Sequence, residues 1–114
     1  MAKIIRLKLR AVPFLHLTQR SRFSKRAINY YSWKDTVRLL AKGYVPEGKM
    51  RVEFILKIPK KGRQVGTPHT SKPDIDNLLK ALIDALCPNG DQHIYQVAAS
   101  KKWGLSNEII IYGD

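Results

Sequence analysis

The stretch IDNLLKALIDAL, residues 75–86, most limits what this chain can become. Ile75, Leu78, Leu79, Leu82, Ile83 and Leu86 fall at i, i+3, i+4, i+7, i+8 and i+11, one unbroken apolar stripe on a helix. A stripe of that width has to pack on something. In 114 residues the partner surface is the rest of a single domain, residues 1–114. Strands supply it. Ile5, Leu7 and Leu9 alternate with Arg6, Lys8 and Arg10. Met50, Val52, Phe54, Leu56 and Ile58 alternate with Arg51, Glu53 and Lys57, Ile55 being the exception. Tyr95–Lys102 and Asn107–Tyr112 read as two more strands joined through Gly104. A second helix is expected from Ser32, which forms a capping box with Asp35, to Lys42, stopped by Gly43. Its apolar face is Trp33, Val37, Leu40 and Ala41. The order β, α, β, α, β, β argues for an α+β domain, two helices packed on a mixed or antiparallel four-stranded sheet.

Lys and Arg total 21 against nine Asp and Glu, a formal net charge of +12. Such a surface attracts polyanions, nucleic acid above all. No long basic amphipathic helix points to an anionic membrane instead. No apolar run is long enough to span a bilayer, and the N-terminus MAKIIRLKLR is too charged for a signal peptide. One cysteine, Cys87, excludes an internal disulfide and suits a reducing compartment. A soluble cytoplasmic protein is expected.

The basic residues gather in two segments without apolar period. Residues 16–26 hold Arg20, Arg22, Lys25 and Arg26, and residues 59–73 hold Lys60, Lys61, Arg63 and Lys72. Both read as loops, the second long and mobile, and loops of that length are usually functional or disordered. Both are expected near the acidic cluster described next, where they can contact a nucleic-acid backbone. Phe23, Tyr30, Tyr31, Trp33 and Trp103 are available to stack on bases, although Trp33 is expected in the core. His16 and His69 read as solvated loop histidines, and Cys87 as buried or inert.

Pro73 forces Lys72 to be extended, so the main helix starts at about Asp74. Asp74 and Asp76 at that point admit two readings. Asp is a favoured N-cap and complements the helix dipole in the first turn. The alternative is a ligand pair. Asp76 and Lys80 are four apart and share one helix face, beside a basic loop. Asp91 follows the helix-breaking CPNG, and a chain turning back there lays it near the first turn. Carboxylates gathered at one point repel unless a cation sits between them. Oxygen-only ligands suit Mg²⁺, or Mn²⁺. Lys80 either pairs with Asp76 or Asp84 or stabilises charge that develops during a reaction.

KPDIDNLLKALIDAL is similar to the motif of RusA-type Holliday-junction resolvases, in which an Asp-x-Asp-Asn pair opens a helix and a Lys follows one turn on. Asp74, Asp76, Asn77 and Lys80 match it. The family's second segment, Asp-Asp-x-Gln-Ile/Val, is matched at Asp91 and Ile94 in GDQHI, with Gly90 and His93 departing from it. RSRF (20–23) resembles the family's Arg-x-Arg loop, and KKWG (101–104) its basic strand end. The resemblance implies a Mg²⁺-dependent endonuclease that nicks four-way DNA junctions as a homodimer, in recombination and repair. It implies Asp74, Asp76 and Asp91 as metal-binding catalytic acids and Lys80 as a catalytic lysine. A basic module that grips nucleic acid without cutting it, or a nuclease for other branched or single-stranded DNA, stays open.

Overall fold

The computed structural model describes residues 3–16, 18, 20, 22–59 and 64–113. Strand β1 (Lys3–Leu7) leads to helix α1 (Lys25–Leu40), strand β2 (Gly48–Lys57), helix α2 (Ile75–Leu86), strand β3 (Ile94–Gly104) and strand β4 (Glu108–Gly113). The four strands form one mixed sheet in the order β1-β4-β2-β3. β4 runs antiparallel to both β1 and β2, and β2 runs parallel to β3. The parallel pair follows from the chain order, because α2 is the crossover that joins β2 to β3.

The period-2 pattern sets which face of the sheet is covered. Leu7, Val52, Phe54, Ile109 and Ile111 are fully buried and point to the helical side with Leu78, Leu82 and Leu86 of α2. Each such side chain contributes about 1.5–3 kcal/mol relative to exposure. The opposite face carries polar pairs instead. Arg6 meets Glu108 at 2.9 Å, and Glu53 meets both Arg51 and Lys102 at 3.3 and 3.1 Å.

The expected helix at 75–86 forms between those residues. The first helix does not begin where its sequence suggested. Its N-cap is Ser24, whose hydroxyl accepts a hydrogen bond from the Ala27 amide at 3.2 Å, so Lys25 and Arg26, expected in the loop, are helical and the helix begins ahead of Ser32. Ser32 and Asp35 lie inside the helix, where Asp35 pairs with Arg38 and the Ser32 carbonyl accepts from the Thr36 hydroxyl. The buried face is Ala27, Tyr30 and Val37, continued by Ala41, while Leu40 is exposed.

Of the segment 59–73, residues 60–63 lie outside the described residues. The rest is pinned to the sheet. Pro68 forms a β-bridge with Lys102, the Trp103 amide donates to the Thr67 carbonyl, and the His69 amide donates to the Lys101 carbonyl. His69 is therefore not solvated: it is buried, its ring centroid 4.2 Å from that of Trp103. Among the described residues no helix is long and apolar enough to cross a membrane.

Candidate active site

Two successive turns return the chain from α2 to the sheet. The Gly90 amide donates to the Cys87 carbonyl, and the Ile94 amide to the Asp91 carbonyl, both at 3.0 Å. Gly90 has φ +110°, a conformation that suits a residue without Cβ. This explains the glycine where the family motif has its first Asp: the short turn needs it. The turn lays Asp91 against the side of α2.

There a cleft of about 350 Å³ is lined by Asp76, Leu79, Lys80, Ile83, Asp84 and Asp91. The helix explains the lining. Asp76, Lys80 and Asp84 are spaced four apart and form one column beside the apolar stripe. The structure thus brings Asp76, Lys80 and Asp91 together. It adds Asp84, which the sequence offered only as a pairing partner for Lys80, although its i+4 spacing was the available signal.

Asp74 stands apart from this lining. It is the N-cap by backbone conformation (φ −68°, ψ 144°), yet its side chain makes no capping hydrogen bond. Among the described residues the Asp76 carboxylate accepts only the adjacent Asn77 amide, at 2.9 Å. Neither aspartate closes a capping ring onto the helix end. None of Asp74, Asp76, Asp84 and Asp91 has a cationic partner within 4.0 Å among the described residues, whereas Glu53 and Glu108 are paired. In a chain of net charge +12, leaving these acids unpaired is the notable arrangement. Their field is felt nearby: burial first, then Asp91 and Asp84, push the Cys87 thiol up. Cys87 is indeed buried.

Among the described residues Lys80 does not pair with the acids either. Its ammonium lies 4.0 Å from the centroid of the Phe14 ring. The Phe14 amide donates to the Asn77 carbonyl at 2.9 Å, which ties residues 10–14 to the first turn of α2.

The donor chemistry suits a hard divalent cation, because the cleft offers carboxylate oxygens and no sulfur or imidazole. Among the described residues no three acidic, histidine or cysteine side chains stand close enough to hold an ion by themselves. Magnesium does not require that, since it keeps several waters and takes one or two carboxylates together with substrate phosphate.

The basic candidates divide. Arg20, Arg22 and Lys72 are exposed, with the Arg22 guanidinium 4.8 Å from the Phe23 ring centroid. Lys60, Lys61 and Arg63 lie outside the described residues. Arg10 and Arg26, of which the first was read only as a strand residue, line a pocket of about 250 Å³ with Phe14 and Tyr30. Tyr30 is buried and Trp33 half-buried, so neither is free to stack on a base, while Phe23 is exposed. His16 and His93 are exposed.

A comparison with curated proteins gave no match. The family model described as endodeoxyribonuclease RusA matches residues 16–112, nearly the whole chain, and includes α2, the turn to Asp91 and three of the four strands. With that match laid over the acidic cleft, the chain belongs to the RusA endodeoxyribonuclease family.

Proposed function

We propose that this protein is a Mg²⁺-dependent endonuclease that resolves four-way DNA junctions by paired nicks, serving recombination and repair. The observation that carries the reading is the set of unpaired carboxylates, Asp76, Asp84 and Asp91, lining one cleft with Lys80. Like charges lining one cleft repel one another, and a cation among them relieves that repulsion, so an arrangement of this kind is best accounted for by a cation that completes it.

Asp76 and Asp91 are assigned as the cation's carboxylates, with Asp84 beside them, and Asp74, outside the lining, is assigned to the same cation. When bound, Mg²⁺ supplies Lewis acidity toward a scissile phosphate and its attacking water. The remaining work belongs to the chain. α2 is a rigid mount, held by the buried Leu78, Leu82 and Leu86. Lys80 presents a full positive charge to a phosphate that gains negative charge in the transition state. Arg20, Arg22, Lys72 and the pair Arg10 and Arg26 contact the DNA backbone, with Lys60, Lys61 and Arg63 assigned the same role. These contacts position the substrate without reading sequence.

Two equivalent nicks need two equivalent sites, which a two-fold homodimer supplies. The run Ile94–Ser100 on the outer edge of β3 carries no charged residue, and Tyr95 there is 75% exposed. In so cationic a chain an uncharged strand edge is the surface least opposed to a second copy, and this reading assigns it to the dimer.

The test is an incubation of purified protein with a synthetic four-way junction and with linear duplex of the same sequence, with and without Mg²⁺. Symmetric nicks confined to the junction and dependent on the cation support the reading. Tight junction binding with no nicking in Mg²⁺ or Mn²⁺ at low salt favours a binding module instead. Equal cutting of flaps or single strands reassigns the substrate.

A further inference from the structure

The Lys80 ammonium is placed by an aromatic face rather than by a carboxylate. Asp76 and Asp84 flank it at i−4 and i+4 on the same helix face, the positions from which acids ordinarily pair with lysine. It pairs with neither within 4.0 Å among the described residues, and lies instead 4.0 Å from the Phe14 ring centroid. The ring is itself held. The Phe14 amide is bonded to the Asn77 carbonyl at 2.9 Å. The Phe14 and Tyr30 rings meet edge to face, centroids 6.3 Å apart at 89°. Tyr30 stacks with Trp33 at 6.3 Å and 14°, and the Trp33 indole N–H donates to the Arg10 carbonyl at 2.8 Å.

The geometry points to Phe14 as the positioning residue for Lys80, holding the ammonium in the cleft without neutralising it. The physical distinction is simple. A carboxylate would hold the lysine equally well, but would cancel the charge that a phosphate has to meet. The negative face of a phenyl ring attracts the cation through its quadrupole and leaves its net charge intact. The ring occupies one side of the ammonium and leaves its other sides free to meet a phosphate. Trp33 and Tyr30 of α1 thus act on the site through Phe14. Phe14 lies before the residues that the family model covers. The inference rests on the reading of Lys80 as the group that meets the phosphate, and its test separates the two.

Two measurements on the full chain are compared across Phe14→Leu, Phe14→Tyr and Lys80→Met. The first is single-turnover nicking of a four-way junction in Mg²⁺. Phe14→Leu is expected to lower kcat by roughly 2- to 30-fold, the range of one cation–π contact, with KM unchanged. Phe14→Tyr keeps the ring face and restores kcat to near the wild-type value. The second is the ¹H–¹³C spectrum of the lysine side chains. The Lys80 ε-methylene protons are expected upfield from the ring current, identified by their loss in Lys80→Met. They return to the ordinary position in Phe14→Leu and stay upfield in Phe14→Tyr. A general loss of stability does not produce that pattern. An unshifted Lys80 in the wild type, or wild-type kcat in Phe14→Leu while Lys80→Met is inactive, overturns the positioning role alone. Wild-type nicking by Lys80→Met overturns the reading of Lys80 itself, and with it any catalytic purpose of the contact.

Discussion

The Lys101 ammonium donates to the Pro73 carbonyl oxygen at 2.8 Å and to the Ser71 carbonyl oxygen at the same distance. One side chain of β3 thereby fixes the residue immediately before Asp74, and with it the entry into α2. The sheet and the acidic helix are joined at the point where the chemistry is proposed to occur. Lys101→Met keeps the aliphatic stem and removes both bonds. It should lower unfolding free energy by about 1.5–3 kcal/mol, the usual worth of hydrogen bonds to a charged group. Urea denaturation measures this, and an unchanged midpoint would show the clamp to be idle.

Asp74 occupies an N-cap without capping, which separates its structural from its functional role. An aspartate that caps costs about 1 kcal/mol when replaced by alanine. Asp74→Ala should cost less than half of that, because no side-chain bond is lost. Nicking should fall despite normal stability. A full capping penalty together with undiminished nicking would return Asp74 to the role of an ordinary cap.

Alkaline pH should weaken the fold through two buried groups. Burial, then Asp91 and Asp84, raise the Cys87 thiol, and burial, then Asp84, raise the Tyr30 phenol. Both groups hold their protons more tightly folded than unfolded. Their contribution is fully present below the unfolded values, about 8.5 for a thiol and 10 for a phenol, and is lost as pH rises through the higher folded values. Wild-type stability should therefore fall faster than that of Cys87→Ala above about pH 9, and in parallel with it between pH 7 and 8. Parallel curves up to pH 10.5 would rule out the thiol's part.

Exposed Arg20, Arg22 and Lys72 are assigned to phosphates. Each contact made by one of them releases about one counterion, so neutralising it by glutamine should lower the slope of log K against log salt by about 1. Junctions of different sequence should be affected alike, as backbone contacts carry no sequence information. Fluorescence anisotropy at several salt concentrations reads the slope, and an unchanged slope removes that residue from the interface.

Much of this architecture is written plainly in the chain, and the exceptions have causes. The stripe from Ile75 to Leu86 locates α2 because one face is wholly apolar, and the alternation through Met50, Val52 and Phe54 locates β2. α1 hides its start because Lys25 and Arg26 open it and the buried face begins with Ala27, a residue that gives little apolar contrast. Ser32 and Asp35 then imitate a cap from inside the helix. The column of Asp76 and Lys80 was visible from spacing alone. The return of Asp91 was expected from the break at CPNG but not fixed by it, since it depends on two turns and a positive φ at Gly90. The contact of Phe14 with Lys80 joins segments far apart in sequence, and no local pattern announces it.

The central claim is that the carboxylates of the cleft serve a cation and a cut. The most direct measurement compares wild type with Asp76→Asn on a four-way junction in Mg²⁺, following nicking and binding in the same samples. The account predicts that the substitution lowers nicking by roughly 100-fold or more, as expected for loss of several kcal/mol of metal-assisted stabilisation. Junction binding should be retained or tightened, because a negative charge facing the phosphates has been removed. Nicking by Asp76→Asn at the wild-type rate would contradict the account.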